Sequence, residues 1–181
     1  MTTKTFFVLS AMVFTVTPSR AQARVRITIA DEARRTLEDL RVSAAAIEHD
    51  ADQLARFASD PQVSVESHSQ NLMDIKEEIN KMGREMAVLD AEHDALPEWE
   101  QQAVSKALPL LKDSAANAES ALEYLNANKS HLWTETYRGY ADQVRQDSEQ
   151  VAKTLTDYLK LARLEGQERR LQDNLGTAGG N

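Results

Sequence analysis

The chain of 181 residues carries a formal net charge of −8, 41% hydrophobic residues, four prolines and no cysteine. That length supports the core of one domain, but without cysteine there is no disulfide framework, thiolate metal site or cysteine nucleophile. The acidic balance removes any broad electrostatic drive toward nucleic acid, because neutralising phosphate needs clustered Lys and Arg.

Lys4 precedes an uncharged apolar run from Phe6 to Thr17, followed by Pro18, Ser19, Arg20 and the triplet Ala21-Gln22-Ala23. A basic start, an apolar stretch and a small-x-small site form the layout of a cleavable export signal. The run is too short for a membrane-spanning helix, which needs roughly 20 apolar residues. The expectation is a signal peptide over residues 1–23, cleaved after Ala23, giving a periplasmic or secreted protein with no integral membrane association after cleavage. The mature chain then holds 19 basic and 29 acidic residues.

Arg24 to Ile29 alternates with period two, and the expectation over 24–30 is a short extended segment. Thr28-x-x-Asp31 followed by Glu32 reads as a helix start. Over 31–58, Ala33, Leu37, Leu40, Ala44, Ile47, Ala51, Leu54 and Ala58 recur in steps of four and three, the stripe of an amphipathic first helix. Ser59-Asp60-Pro61 breaks it.

The second helix, over 64–95, continues the rhythm through Val65, His68, Leu72, Ile75, Ile79, Met82, Met86, Leu89, His93 and on to Leu96. Pro97 with Glu98 and Glu100 marks the start of a third, over 97–126. Its stripe is read through Val104, Leu108, Leu111, Ala115, Ala118, Leu122 and Leu125, with a bend at Pro109. After Asn126 to Ser130 a fourth helix, over 130–171, carries Trp133, Tyr137, Tyr140, Val144, Ser148, Val151, Leu155, Tyr158 and Ala162. Residues 172–181 read as a disordered tail.

Four long helices with short connections predict an all-α, up-down-up-down antiparallel four-helix bundle with coiled-coil-like seams, spanning 31–171. The alternative is a pair of helical hairpins that completes its core as a homodimer.

This topology brings His68, His131 and Trp133 to one end, the far end, and His93, Trp99 and Tyr158 to the near end. His68 and His93 lie 25 residues apart on one helix, roughly 37 Å, so they cannot share an ion. The metal set to consider is His68, His131 and Glu135, the last standing one turn beyond His131. Di-iron Glu-x-x-His pairs and H-E-x-x-H are absent from the sequence. Haem lacks both Cys-x-x-Cys-His and a plausible axial pair, and no cofactor is expected.

Trp133, Tyr137 and Tyr140 face small residues of the third helix, where they serve as core or, in the alternative, line an apolar ligand pocket. No nucleophile setting such as Gly-x-Ser-x-Gly is found, and no enzyme activity is expected. Glu77 with Lys81, and Glu149 with Lys153, read as surface ion pairs.

The tetrapeptide Glu-His-Asp-Ala occurs at 48–51 and again at 92–95. Helical phase turns His49 to solvent and His93 toward the core, so His93 alone stands as a candidate functional core histidine. The functional expectation is an exported, non-enzymatic helical bundle that acts on a protein partner as an adaptor, chaperone-like or regulatory component of the cell envelope. The alternative is a ligand or metal carrier using the end near His68, His131 and Trp133.

Overall fold

A computed structural model describes residues 20–178, with side chains described from 31 onward except at 173 and 176–178. It contains four helices: α1 (Arg20–Phe57), α2 (Val65–Ala91), α3 (Glu98–Ala127) and α4 (Glu135–Ala178). Each packs along its sequence neighbour, and α1 packs along α4, which closes the ring of a four-helix bundle. Gln53 to Asn71 and Ser43 to Lys81 tie α1 to α2 in one antiparallel register. The buried hydroxyls of Ser114 and Ser148, 3.3 Å apart, do the same for α3 and α4.

From Ala33 to Leu54, and on to Ala58 just past the helix end, every position of the α1 stripe is buried, because a strict four-three alternation keeps one face turned inward. On α2 the run from His68 to Leu89 is buried in the same way. Ser64 caps this helix, its hydroxyl accepting from the Ser67 N–H at 3.2 Å.

Several expectations are corrected. Residues 24–30 lie in α1 rather than in an extended segment. Six alternating residues with no partner strand leave ladder groups unpaired, whereas continuing an existing helix adds a bond per residue. At the other terminus α4 runs on to Ala178, through most of the stretch read as a disordered tail. Of the expected signal peptide 1–23, residues 1–19 lie outside the described residues, as do the last three residues of the chain, and residues 20–23 lie in α1.

α2 stops at Ala91 and is followed by a short 3-10 turn, His93–Ala95, so it ends four residues earlier than expected. Leu96 precedes Pro97 and is extended, with ψ 152°, as the proline ring requires. α4 begins only at Glu135, since residues 128–134 form the connection.

The α3 face is also rotated from the expected stripe. Its buried line runs through Glu100, Val104, Ala107, Leu111, Ser114, Ala118, Ala121 and Leu125, with Leu108, Ala115 and Leu122 only half-buried. Small residues at the centre of that face let α3 and α4 approach closely, and the bulkier leucines fill the flanks. The surface pairs differ too: Lys81 meets Glu78 at 3.6 Å and Glu149 meets Arg145 at 3.6 Å.

Candidate functional site

The far end gathers an aromatic or imidazole ring from every helix. Phe57 ends α1, His68 stands in the first turn of α2, Tyr124 lies near the end of α3, and Tyr137 and Tyr140 open α4. His68 and Tyr137 are both buried. The His68 ring meets Phe57 edge-on at 5.5 Å between centroids and Tyr137 at 5.4 Å. Tyr124 stacks on Tyr137 at 5.7 Å and meets Tyr140 at 6.4 Å. These separations suit offset and edge-on aromatic contacts.

Thr134 organises the cluster. Its hydroxyl caps α4 by accepting from the Tyr137 N–H at 3.2 Å and donates to the Tyr124 phenol oxygen at 3.0 Å. One side chain thus sets the start of α4 and orients a ring of α3.

Two polar atoms inside the cluster have no hydrogen-bond partner: Nδ1 of His68 and the hydroxyl of Tyr137. Burial lowers the His68 pKa from its usual 6.5 and raises that of Tyr137. Both groups are therefore neutral at pH 7, since removal from water disfavours the charged form. A neutral imidazole and a neutral phenol leave one weak donor-acceptor pair in an apolar surrounding.

The structure does not assemble the expected metal set. Among the described residues no group of three His, Asp or Glu side chains converges to hold an ion. His68 points into the core, whereas His131 is exposed in the connection, with its ring 4.7 Å from that of Trp133. Glu135 is exposed in the first turn of α4. Leu132 is the residue of this connection that turns inward, buried at the end of the core. Trp133 remains 45% exposed, outside both the core and any pocket made with Tyr137, while Tyr140 is half-buried.

His93 is likewise not a core residue. Because α2 ends at Ala91, the 3-10 turn swings His93 to a half-exposed position, with Nδ1 3.6 Å from Asp94 and Nε2 3.5 Å from the Ser105 hydroxyl. His49, in the other copy of the tetrapeptide, is exposed.

A buried group escaped sequence reasoning at the near end. Glu100, in the first turn of α3, is buried and its Oε2 lacks a partner. Burial pushes its pKa up from the usual 4.5 to about 7, with Asp31 adding to the rise and Arg34 opposing it. The available signal was its place on the four-three line through Val104, Ala107 and Leu111, which an acid in a helix's first turn disguised as a dipole partner.

Open grooves follow the helix seams rather than the far-end cluster. A groove of about 690 Å³ lies between α1 and α4 beside Val42 and Leu159. Another, of about 300 Å³, lies between α2 and α3 beside Gly83 and Leu108. The chain matches no protein-family model, no curated protein and no solved structure.

Proposed function

We propose that this chain is an exported, non-enzymatic helical-bundle protein, periplasmic or secreted, that works through contact with another protein as an adaptor, chaperone-like or regulatory component of the cell envelope. The observation that carries this reading is the placement of large aliphatic side chains on the outer faces of ordered helices. Val88 and Met73 on α2, and Leu161, Leu164, Leu171 and Leu175 on α4, are exposed while the core between the helices is filled. Single exposed residues such as Met73 and Val88 are ordinary on a protein surface, whereas leucines set in a row on one helix face, as on α4, mark a surface that binds protein. The order of Lys4, the Phe6 to Thr17 run and Ala21-Gln22-Ala23 supports the export half of the reading.

The test is crosslinking and affinity capture from the native cell envelope, with N-terminal sequencing of the recovered chain. A mature start at Arg24 and a reproducible partner are the expected results. A start at Met1 removes the export half, and a stoichiometric small molecule in the intact mass with no partner removes the interaction half.

A second reading, a carrier of a small ligand, has the orphaned polar atoms of His68 and Tyr137 in its favour. Native mass spectrometry of the protein purified from its own envelope decides it: a bound molecule that is lost in His68→Leu supports the carrier.

A further inference from the structure

We propose that the outward leucine row on the last turns of α4 docks into the α2/α3 groove of a second copy of this chain. This rests on the interaction reading above and names its partner. Beyond Ala162, the last buried residue of α4 among the described side chains, the helix continues for four more turns to Ala178. Leu161, Leu164, Leu171 and Leu175 fall at spacings of three, seven and four, with Glu168 in the gap, which places all five positions on one stripe. That stripe turns progressively away from the bundle: Leu161, in the groove beside Trp99, is 41% exposed, whereas Leu171 is 63% and Leu175 74% exposed. A solvated helix end gains nothing from leucine at every stripe position but one.

The groove that fits it runs along α2 from Lys76 to Asp90. Two cavities, of about 300 and 140 Å³, merge there through the shared residues Ile79, Asn80 and Ala115. Its floor is apolar and shallow because Gly83 and Ala87 contribute almost no side chain, and a Cβ added at Gly83 would meet nothing within 4 Å. Lys76 to Asp90 and Leu161 to Leu175 both span fourteen residues, roughly 21 Å of helix. Row and groove therefore match in length and in apolar character.

Charge selects a second copy over a tail-to-tail pair. Residues 24–35 and 160–178, at the near end of the packed α1/α4 pair, carry eight Lys and Arg against five Asp and Glu in the mature chain. Residues 36–159 carry eleven against twenty-four. Pairing two tails brings two basic ends together and sets Glu168 within an apolar seam twice over, whereas tail on body joins opposite charges. The local pattern agrees. The carboxylate interrupting the row, Glu168, has Lys112 midway along the groove to meet, while Asp90 and Glu119 at the groove's ends suit Arg163, Arg169 and Arg170.

The experiment is sedimentation velocity of the full mature chain over a range of concentration and salt, with two variants. Leu171→Asp/Leu175→Asp disables the row at exposed positions, and Gly83→Phe fills the groove in open space, so circular dichroism should show unchanged helicity in both. Wild type is expected to self-associate more weakly as salt rises. Each variant alone is expected to lose at least about tenfold in affinity. An equimolar mixture of the two is expected to form a two-chain complex, since one partner keeps its groove and the other its row. Self-association of Gly83→Phe at the wild-type level overturns the proposal in favour of tail pairing. A wild-type chain that stays monomeric throughout also overturns it; if that chain still captures an envelope protein, the interaction reading stands without self-assembly.

Discussion

His68 and Tyr137 lie in ring contact, 5.4 Å between centroids, each buried and each holding one polar atom without a partner. The phenol hydroxyl is thus a desolvated group that the fold tolerates for the sake of the ring. Tyr137→Phe removes the hydroxyl and keeps the stacking on Tyr124, so it is expected to leave stability unchanged or raise it by up to about 1–2 kcal/mol. Tyr137→Ala is expected to cost about 3–5 kcal/mol, because it empties the centre of the cluster. Urea unfolding followed by circular dichroism separates the two outcomes, and a destabilised Tyr137→Phe would mean that the hydroxyl has a partner.

The imidazole sets an acid limit on stability. His68 has its pKa lowered in the folded chain, so the unfolded chain binds the extra proton first as pH falls. Its contribution is fully present above about 6.5 and is lost as pH drops through that value toward the lowered one. His68→Leu keeps an apolar side chain at this site without the titration. On going from pH 8 to pH 5 the melting temperature of this variant is expected to shift upward relative to that of wild type, and identical shifts in the two would place the acid sensitivity elsewhere.

Thr134 shows how a connection can organise the core end it covers. Thr134→Ala loses the cap on α4 and the bond to Tyr124, and should cost about 1 kcal/mol, up to about 2 kcal/mol. Thr134→Ser retains both bonds and should recover most of the loss. Equal destabilisation by the two substitutions would assign the effect to the methyl group.

The helical seams were legible in the sequence because a four-three rhythm is a property of one helix alone. Leu37, Leu40, Ile47 and Leu54 declare their face without knowledge of any neighbour. On α3 the same logic misled by one position. Leu108 and Leu122 outweigh Ala107 and Ala121 in hydrophobicity, yet the alanines are fully buried because close approach to α4 rewards small side chains. The far-end cluster was half legible. Topology brought His68 and Tyr137 to one end, but which of His131, Leu132 and Trp133 turns inward depends on the path of the connection, set by Asn128, Thr134 and their bonds. Glu100 was disguised for a different reason: an acid in a first turn has an exposed role by default, although its place four residues before Val104 puts it on the buried line.

Glu100 sets the opposite limit to His68. Its folded pKa stands raised, at about 7 against the usual 4.5, so the folded chain holds the proton longer than the unfolded one. The stability this group permits is fully present below about 4.5 and is lost as pH rises through 7, where a buried carboxylate must be carried with Oε2 unpartnered. Glu100→Gln keeps the shape and removes the charge. It is expected to stabilise the protein by about 1–3 kcal/mol at pH 8 and to have little effect at pH 4.5. Paired denaturation curves at the two pH values measure the difference. A Glu100→Gln variant no more stable than wild type at pH 8 would mean that Arg34, on α1, neutralises the carboxylate in place; an Arg34→Gln variant would then lose stability at pH 8. The two titrations overlap between about 4.5 and 6.5 with opposite sign, so His68 and Glu100 offset each other in the wild type and each is read from its own variant.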